Sequence, residues 1–181
     1  LNNESSQGAL LKMSPPVRSE ANREELWKAL KEGLFDTIGT DHTPLTVDQK
    51  LSGTSLWDAM PGYPAVGTHL PSLLDGARRH SMPLEQLVEY IALRPAEIFG
   101  LYPRKGSLLP GSDADMVILD PFRERSVDPQ QASSRADFAL RQGDKLIGWP
   151  LGVIRRGKPM PLDNSAAQTE TVRGRYLGTG G

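Results

Sequence analysis

Residues 36–46, "DTIGTDHTPLT", open as a short β-branched run and close on an acid, an imidazole and a proline. Such a run reads as a strand that stops at Asp41-His42, because Pro44 brings no backbone donor and restrains the residue before it. Immediately upstream, "NREELWKALKEGLF" (22–35) places Leu26, Leu30 and Leu34 at four-residue spacing, with Trp27 on the adjacent edge. That periodicity predicts an amphipathic helix, with Asn22 and Glu25 as its N-terminal cap pair and Gly33 near its end. Further upstream, the apolar "ALLKM" (9–13) runs into "SPPVR", whose paired prolines end any ladder. Strand, helix, strand implies a βαβ crossover with both strands ending at one rim, where parallel α/β architectures bind ligands.

Downstream, residues 47–66 read as a long Gly-, Ser- and Pro-rich loop. "THLPSLLDGARRH" (68–80) and "PLEQLVEYIAL" (83–93) read as helices, and Pro95 opens a last short one closed by Gly100. After Pro103 the pattern changes. "KGSLLPGSDADMVILDP" (105–121) offers a Pro-Gly turn and a β run at 116–119, and "GDKLIGWPLGVIRRGKPM" (143–160) offers two β segments divided at Trp149-Pro150. Residues 161–181 show little apolar periodicity and read as an extended tail.

Bulk properties exclude several classes. A net charge of −1 gives no field to recruit nucleic acid or an anionic membrane. Cysteine is absent, which removes disulfides and thiolate metal sites and fits a reducing cytoplasm. No apolar run approaches the roughly 20 residues of a membrane-spanning helix. The first residue is Leu1, so the chain reads as a piece of something longer.

Asp41, at the end of a strand, suits a metal ligand or a general base, and a turn-holding carboxylate is the plainer alternative. His42 would point away from Asp41 on a continuing strand, so a supporting hydrogen bond suits it better than ligation. His69 and His80 fall on a predicted helix and read as surface residues. "PRKG" (103–106) suggests phosphate contact or a solvated edge, and the two acids of "PGSDAD" are not followed by a calcium-type loop.

"KMSPPVR", "GTDHTP", "RPAEIFGLYPRKGSLLPGSDADMVILDP" and "GVIRRGKPM", in that order over about residues 9–160, resemble the C-terminal portion of cyclic amidohydrolases. That family comprises hydantoinases, dihydropyrimidinases, allantoinases and dihydroorotases. The resemblance implies an α/β fold. Residues 1–103 would be the C-terminal part of a (β/α)₈ barrel, with "ALLKM" as strand seven and "DTIGT" as strand eight. Residues 104–160 would be the C-terminal share of a small β-sandwich, and 161–181 a tail. A whole barrel takes about 250 residues. The family's His-x-His pair, carboxylated lysine and two further histidines therefore lie outside this chain.

The resemblance also implies metal-dependent hydrolysis of a cyclic amide or ureide C–N bond, with two divalent ions, zinc the first expectation, and a dimeric or tetrameric enzyme. Asp41 carries over as metal ligand and catalytic proton shuttle. Ser14 and Gly62 carry over as backbone contacts to the substrate ring, and His42 as support behind the ligands. Leu45 stands where dihydroorotases commonly place a carboxylate-binding His, and Ser14 where they tend to have Asn, so a hydantoin or dihydropyrimidine ring is favoured. "PGYPAVGTHLP" (61–71) instead looks like the dihydroorotase and allantoinase loop. A non-catalytic scaffold of the dihydropyrimidinase-related type is the rival from another class.

Overall fold

The computed structural model describes residues 8–131, 134–160 and 174–178. Its helices are α1 (Glu20–Lys31), α2 (Val47–Lys50), α3 (Val66–Arg79), α4 (Leu84–Val88) and α5 (Arg94–Ile98). A π-helical turn, Glu89–Leu93, joins α4 to α5. The strands are β1 (Met116–Ser126), β2 (Lys145–Arg155) and β3 (Lys158–Met160), an antiparallel sheet in the order β1-β2-β3.

Helix α1 begins earlier than its periodicity suggested. Ser19, not Asn22, is the N-cap, its hydroxyl accepting from the Asn22 N–H at 3.3 Å. Of the three spaced leucines only Leu30 is buried; Leu26 and Leu34 are exposed, and Trp27 packs inward in their place. The main core joins Leu30 to Leu74, Ala77, Met82, Leu87 and Tyr90. Gly76 lets the Trp27 indole lie on α3, since a Cβ there would sit 2.2 Å from its Cζ2.

Two expected strands take other forms. Residues 8–11 are helical, with the Lys12 N–H closing on the Ala9 carbonyl at 3.2 Å. Ala9, Leu10 and Leu11 are good helix formers, and with no described strand beside them the local hydrogen bonds prevail. Residues 37–40 belong to no helix or strand. The Ile38 N–H donates instead to the Tyr90 carbonyl in the π turn (3.2 Å), and Arg94 donates to the Phe35 carbonyl (3.0 Å). The Tyr90 hydroxyl reaches the Leu30 carbonyl at 2.8 Å, so this turn anchors both α1 and the segment after it.

The sheet also departs from its expected form. β2 runs unbroken through Trp149-Pro150 rather than dividing there. Pro150 faces Leu119 beside a register irregularity, where a missing N–H is tolerated in a central strand. The sheet leans on α3: Gly148 receives Leu74, and the buried Asp75 accepts from the Ile147 N–H at 3.4 Å. The predicted tail falls largely on residues 161–173 and 179–181, which lie outside the described residues.

Candidate active site

Asp41 lies in the left-handed region of backbone space, with φ of 46°. Asp is among the few non-glycine residues that adopt this region readily, and at such a residue a chain stops alternating its side chains. The Asp41 carboxylate is exposed. His42 follows on a different course. Its Nδ1 accepts from the Ala65 and Val66 N–H groups at 3.0 and 3.2 Å. Helix α3 has no side-chain cap of its own at Ala65, so the imidazole caps it. A ring nitrogen that accepts cannot carry the proton, which places the His42 proton on Nε2.

Residues 42 and 63 form a parallel bridge, and the Thr43 N–H donates to the Tyr63 carbonyl at 3.0 Å. The loop 60–64 is thereby held beside Asp41. Gly62 has φ of 107°, and a Cβ there would lie 2.5 Å from Thr43 Oγ1, so glycine alone fits. Its N–H donates to the Lys12 carbonyl at 3.1 Å, two residues before the exposed Ser14. Asp41, Ser14 and Gly62 thus lie on three segments joined by the Lys12–Gly62 and Thr43–Tyr63 hydrogen bonds.

Lys50, which the sequence did not single out, ties the same segments. It is fully buried (0% exposed), and its ammonium donates to the carbonyls of Lys12 (2.7 Å), Met60 (2.9 Å) and Gly62 (2.7 Å). Burial, and then the nearby Lys12 ammonium, hold its pKa below the ordinary lysine value. Lys50 closes α2, whose capping box pairs Thr46 with Gln49. The pattern Thr-x-x-Gln before it was the one available signal, and residues 47–50 had been read as loop.

Among the described residues no group of three or more His, Cys, Asp or Glu could hold a metal ion. Asp41 offers a single carboxylate, which suits one position in a ligand set and does not complete one. The two motifs after Pro103 partner each other. Lys105 pairs with Asp113 (2.9 Å) and Asp115, and Arg104 pairs with Asp113 (3.2 Å). The Lys105 hydrogen bond is the largest cause holding both carboxylates below the usual range, and the basic and acidic residues of these two motifs are partners of one another.

The amidohydrolase family signature matches residues 9–160. The chain belongs to the amidohydrolase family. Among its relatives, a D-hydantoinase of Ralstonia pickettii is 34% identical over 173 residues, covering 94% of this chain and 38% of that protein. A dihydroorotase of Halobacterium salinarum is 38% identical over 150 residues, covering 83% and 35%. The solved structure of a D-hydantoinase (dihydropyrimidinase) from a Thermus species superposes with a TM-score of 0.79 at 35% identity, covering 83% of this chain and 33% of that one. The chain thus spans about a third of the length of the relatives it matches. Amidohydrolase membership accounts for an α/β chain carrying a small separate sheet. No described helix of this amidohydrolase chain is long and apolar enough to cross a membrane.

Proposed function

We propose that the chain is the C-terminal portion of a metal-dependent cyclic amidohydrolase that opens a hydantoin or dihydropyrimidine ring at an amide C–N bond. The observation that carries this is Asp41. In a chain of this family, an exposed carboxylate stands at a residue in the left-handed region, beside two segments whose backbone is locked in place. Residues 1–103 would supply barrel, 104–160 part of a sandwich, and 161–181 a tail. The remaining metal ligands would come from residues outside this chain.

A divalent metal, when bound, supplies a nucleophilic water at neutral pH and polarises the scissile carbonyl. Asp41 Oδ would take a proton from the attacking water as the water oxygen bonds to the ring carbonyl carbon and the carbonyl π pair moves onto the carbonyl oxygen. Asp41 would return the proton to the ring nitrogen as the C–N bond breaks, leaving an open-chain acid. Ser14 and the loop around Gly62 face the ring through backbone groups. The N–H and carbonyl of Gly62 itself are engaged by Lys12 and Lys50, so the loop's contact falls to its neighbours. His42 stands behind Asp41 by fixing the turn to α3.

Leu45 is buried at 7% exposure, so that position presents no cation to a substrate carboxylate. This supports hydantoin or dihydropyrimidine over dihydroorotate, and the dihydroorotase relative keeps dihydroorotate as the second reading, with allantoin behind it. Two zinc ions, a dimer or tetramer, and a cytoplasmic setting complete the proposal. Metal analysis and light scattering on the full-length protein test the first two. The deciding experiment is a panel of hydantoin, dihydrouracil, allantoin and dihydroorotate on that protein. Hydantoin or dihydrouracil as best substrate supports the reading, and dihydroorotate as best overturns the Leu45 argument. A protein with no bound metal and no turnover of any ring would be the non-catalytic scaffold.

A further inference from the structure

Lys50 is an unusual way to use a buried charge. An ammonium taken out of water is costly unless its donors are met, and an apolar side chain of the same length would fill the space without that cost. All three Lys50 donors are met, and by carbonyls drawn from two segments distant in sequence, Lys12 on one side and Met60 and Gly62 on the other. Three carbonyl oxygens within 3 Å of one point repel each other unless a cation sits among them. The Lys12 carbonyl also accepts from the Gly62 N–H, and the Lys12 side chain donates to the carbonyls of Leu56 (3.0 Å) and Trp57 (2.7 Å). The neighbours of this knot are Ser14, two residues past Lys12, and Tyr63, one past Gly62. Asp41 is attached at one remove, through Thr43 and Tyr63.

We propose that Lys50 is the positioning residue of this rim. By clamping the Lys12, Met60 and Gly62 carbonyls, it sets the gap between the Ser14 segment and loop 60–64 into which the cyclic amide fits. The assignment rests on the function proposed above. Because the clamp holds the two substrate-facing segments and not the Asp41 carboxylate, its loss acts on substrate binding and on ring selection before it acts on proton transfer.

The test uses the full-length enzyme and its Lys50→Arg and Lys50→Met variants. Steady-state kinetics on hydantoin and dihydrouracil are read beside metal content and melting temperature. Arg keeps the charge but offers a planar fork in place of three converging donors. KM should rise about tenfold in Lys50→Arg and further in Lys50→Met, as expected for a displaced binding segment. The ratio of hydantoin to dihydrouracil turnover should shift, while kcat and metal content hold. Unchanged KM and ring preference in a folded variant would overturn the proposal. So would kcat and metal lost in step with melting temperature while KM stays put, which marks a residue of the fold alone. If Lys50→Met fails to fold, Lys50→Arg decides; if neither folds, the positioning role is overturned. Parent enzyme that opens neither ring removes the proposed function first, before any variant is read, and this assignment falls with it.

Discussion

The rim around Asp41 and the face where α3 meets the sheet are held by different physics. At the α3–sheet face, regular elements satisfy their own backbones and side chains interlock, Leu74 sitting over Gly148, as Trp27 of α1 sits over Gly76 on another side of α3. At the rim the backbone is irregular, and side chains meet the carbonyls and N–H groups that no ladder reaches. Lys50 serves three carbonyls and His42 two N–H groups. Buried backbone groups must be paired somewhere, so an irregular segment borrows its partners from side chains. The lesson is that a polar residue at such a rim can be as structural as a leucine in a core. Asp41 is exposed and its carboxylate stands outside this bonding, which fits the role proposed for it.

The sharpest way to break that division is Asp41→Asn in the full-length protein. Ring opening should fall by about 10³-fold, since the amide cannot take up the proton, with melting temperature little changed. Near-normal turnover in a steady-state assay would return Asp41 to the structural group. Next in size is Lys50→Met, which strips a donor from three carbonyls, of which the Lys12 carbonyl keeps the Gly62 N–H. A loss of about 2 kcal/mol in urea unfolding is expected, about 1 for each of the two carbonyls left without a donor, at the low end of the usual range. A loss well under 1 kcal/mol would mean that water replaces the ammonium easily and the rim is looser than drawn.

At the packed face, Gly148→Ala sets a Cβ 2.8 Å from that of Leu74 at a φ of 101°. Thermal melts should show about 2 kcal/mol of destabilisation, from the overpacked contact and the left-handed strain together. A neutral result would show that α3 can slide on the sheet. The smallest effect concerns His69, on α3. Burial holds its pKa below the ordinary histidine value, so the folded chain prefers it neutral. Stability from this group is full above the unfolded histidine pKa of about 6.5 and declines as pH falls through that value toward the folded pKa. His69→Gln should flatten the pH dependence of stability in that window. An unchanged slope would place the acid sensitivity elsewhere.

Much of this could be read before any coordinates. Leu26, Leu30 and Leu34 at four-residue spacing marked α1, although only Leu30 of the three is buried, and the Pro-Gly turn before Met116 marked the onset of the sheet. Asp41 stood out through the Gly-Thr-Asp-His-Thr-Pro motif, whose residues alone suit a turn-holding carboxylate as well as a catalytic one. Lys50 did not stand out. A lysine in a Gly- and Ser-rich stretch looks solvated, and nothing local says that three carbonyls from residues 12, 60 and 62 will converge on it. Gly62 was found for its place in the loop, yet its own backbone groups proved to be engaged.

The sequence by itself determined the main helices, the onset of the sheet and the membership of a family, because local propensity and ordered motifs are written in neighbouring residues. Only the tertiary structure decided what residues 9–13 and 36–40 do with their backbone hydrogen bonds, what His42 caps, and why Lys50 is buried. Each of those depends on a partner tens of residues away, and a polar group's role is set by the partner that satisfies it.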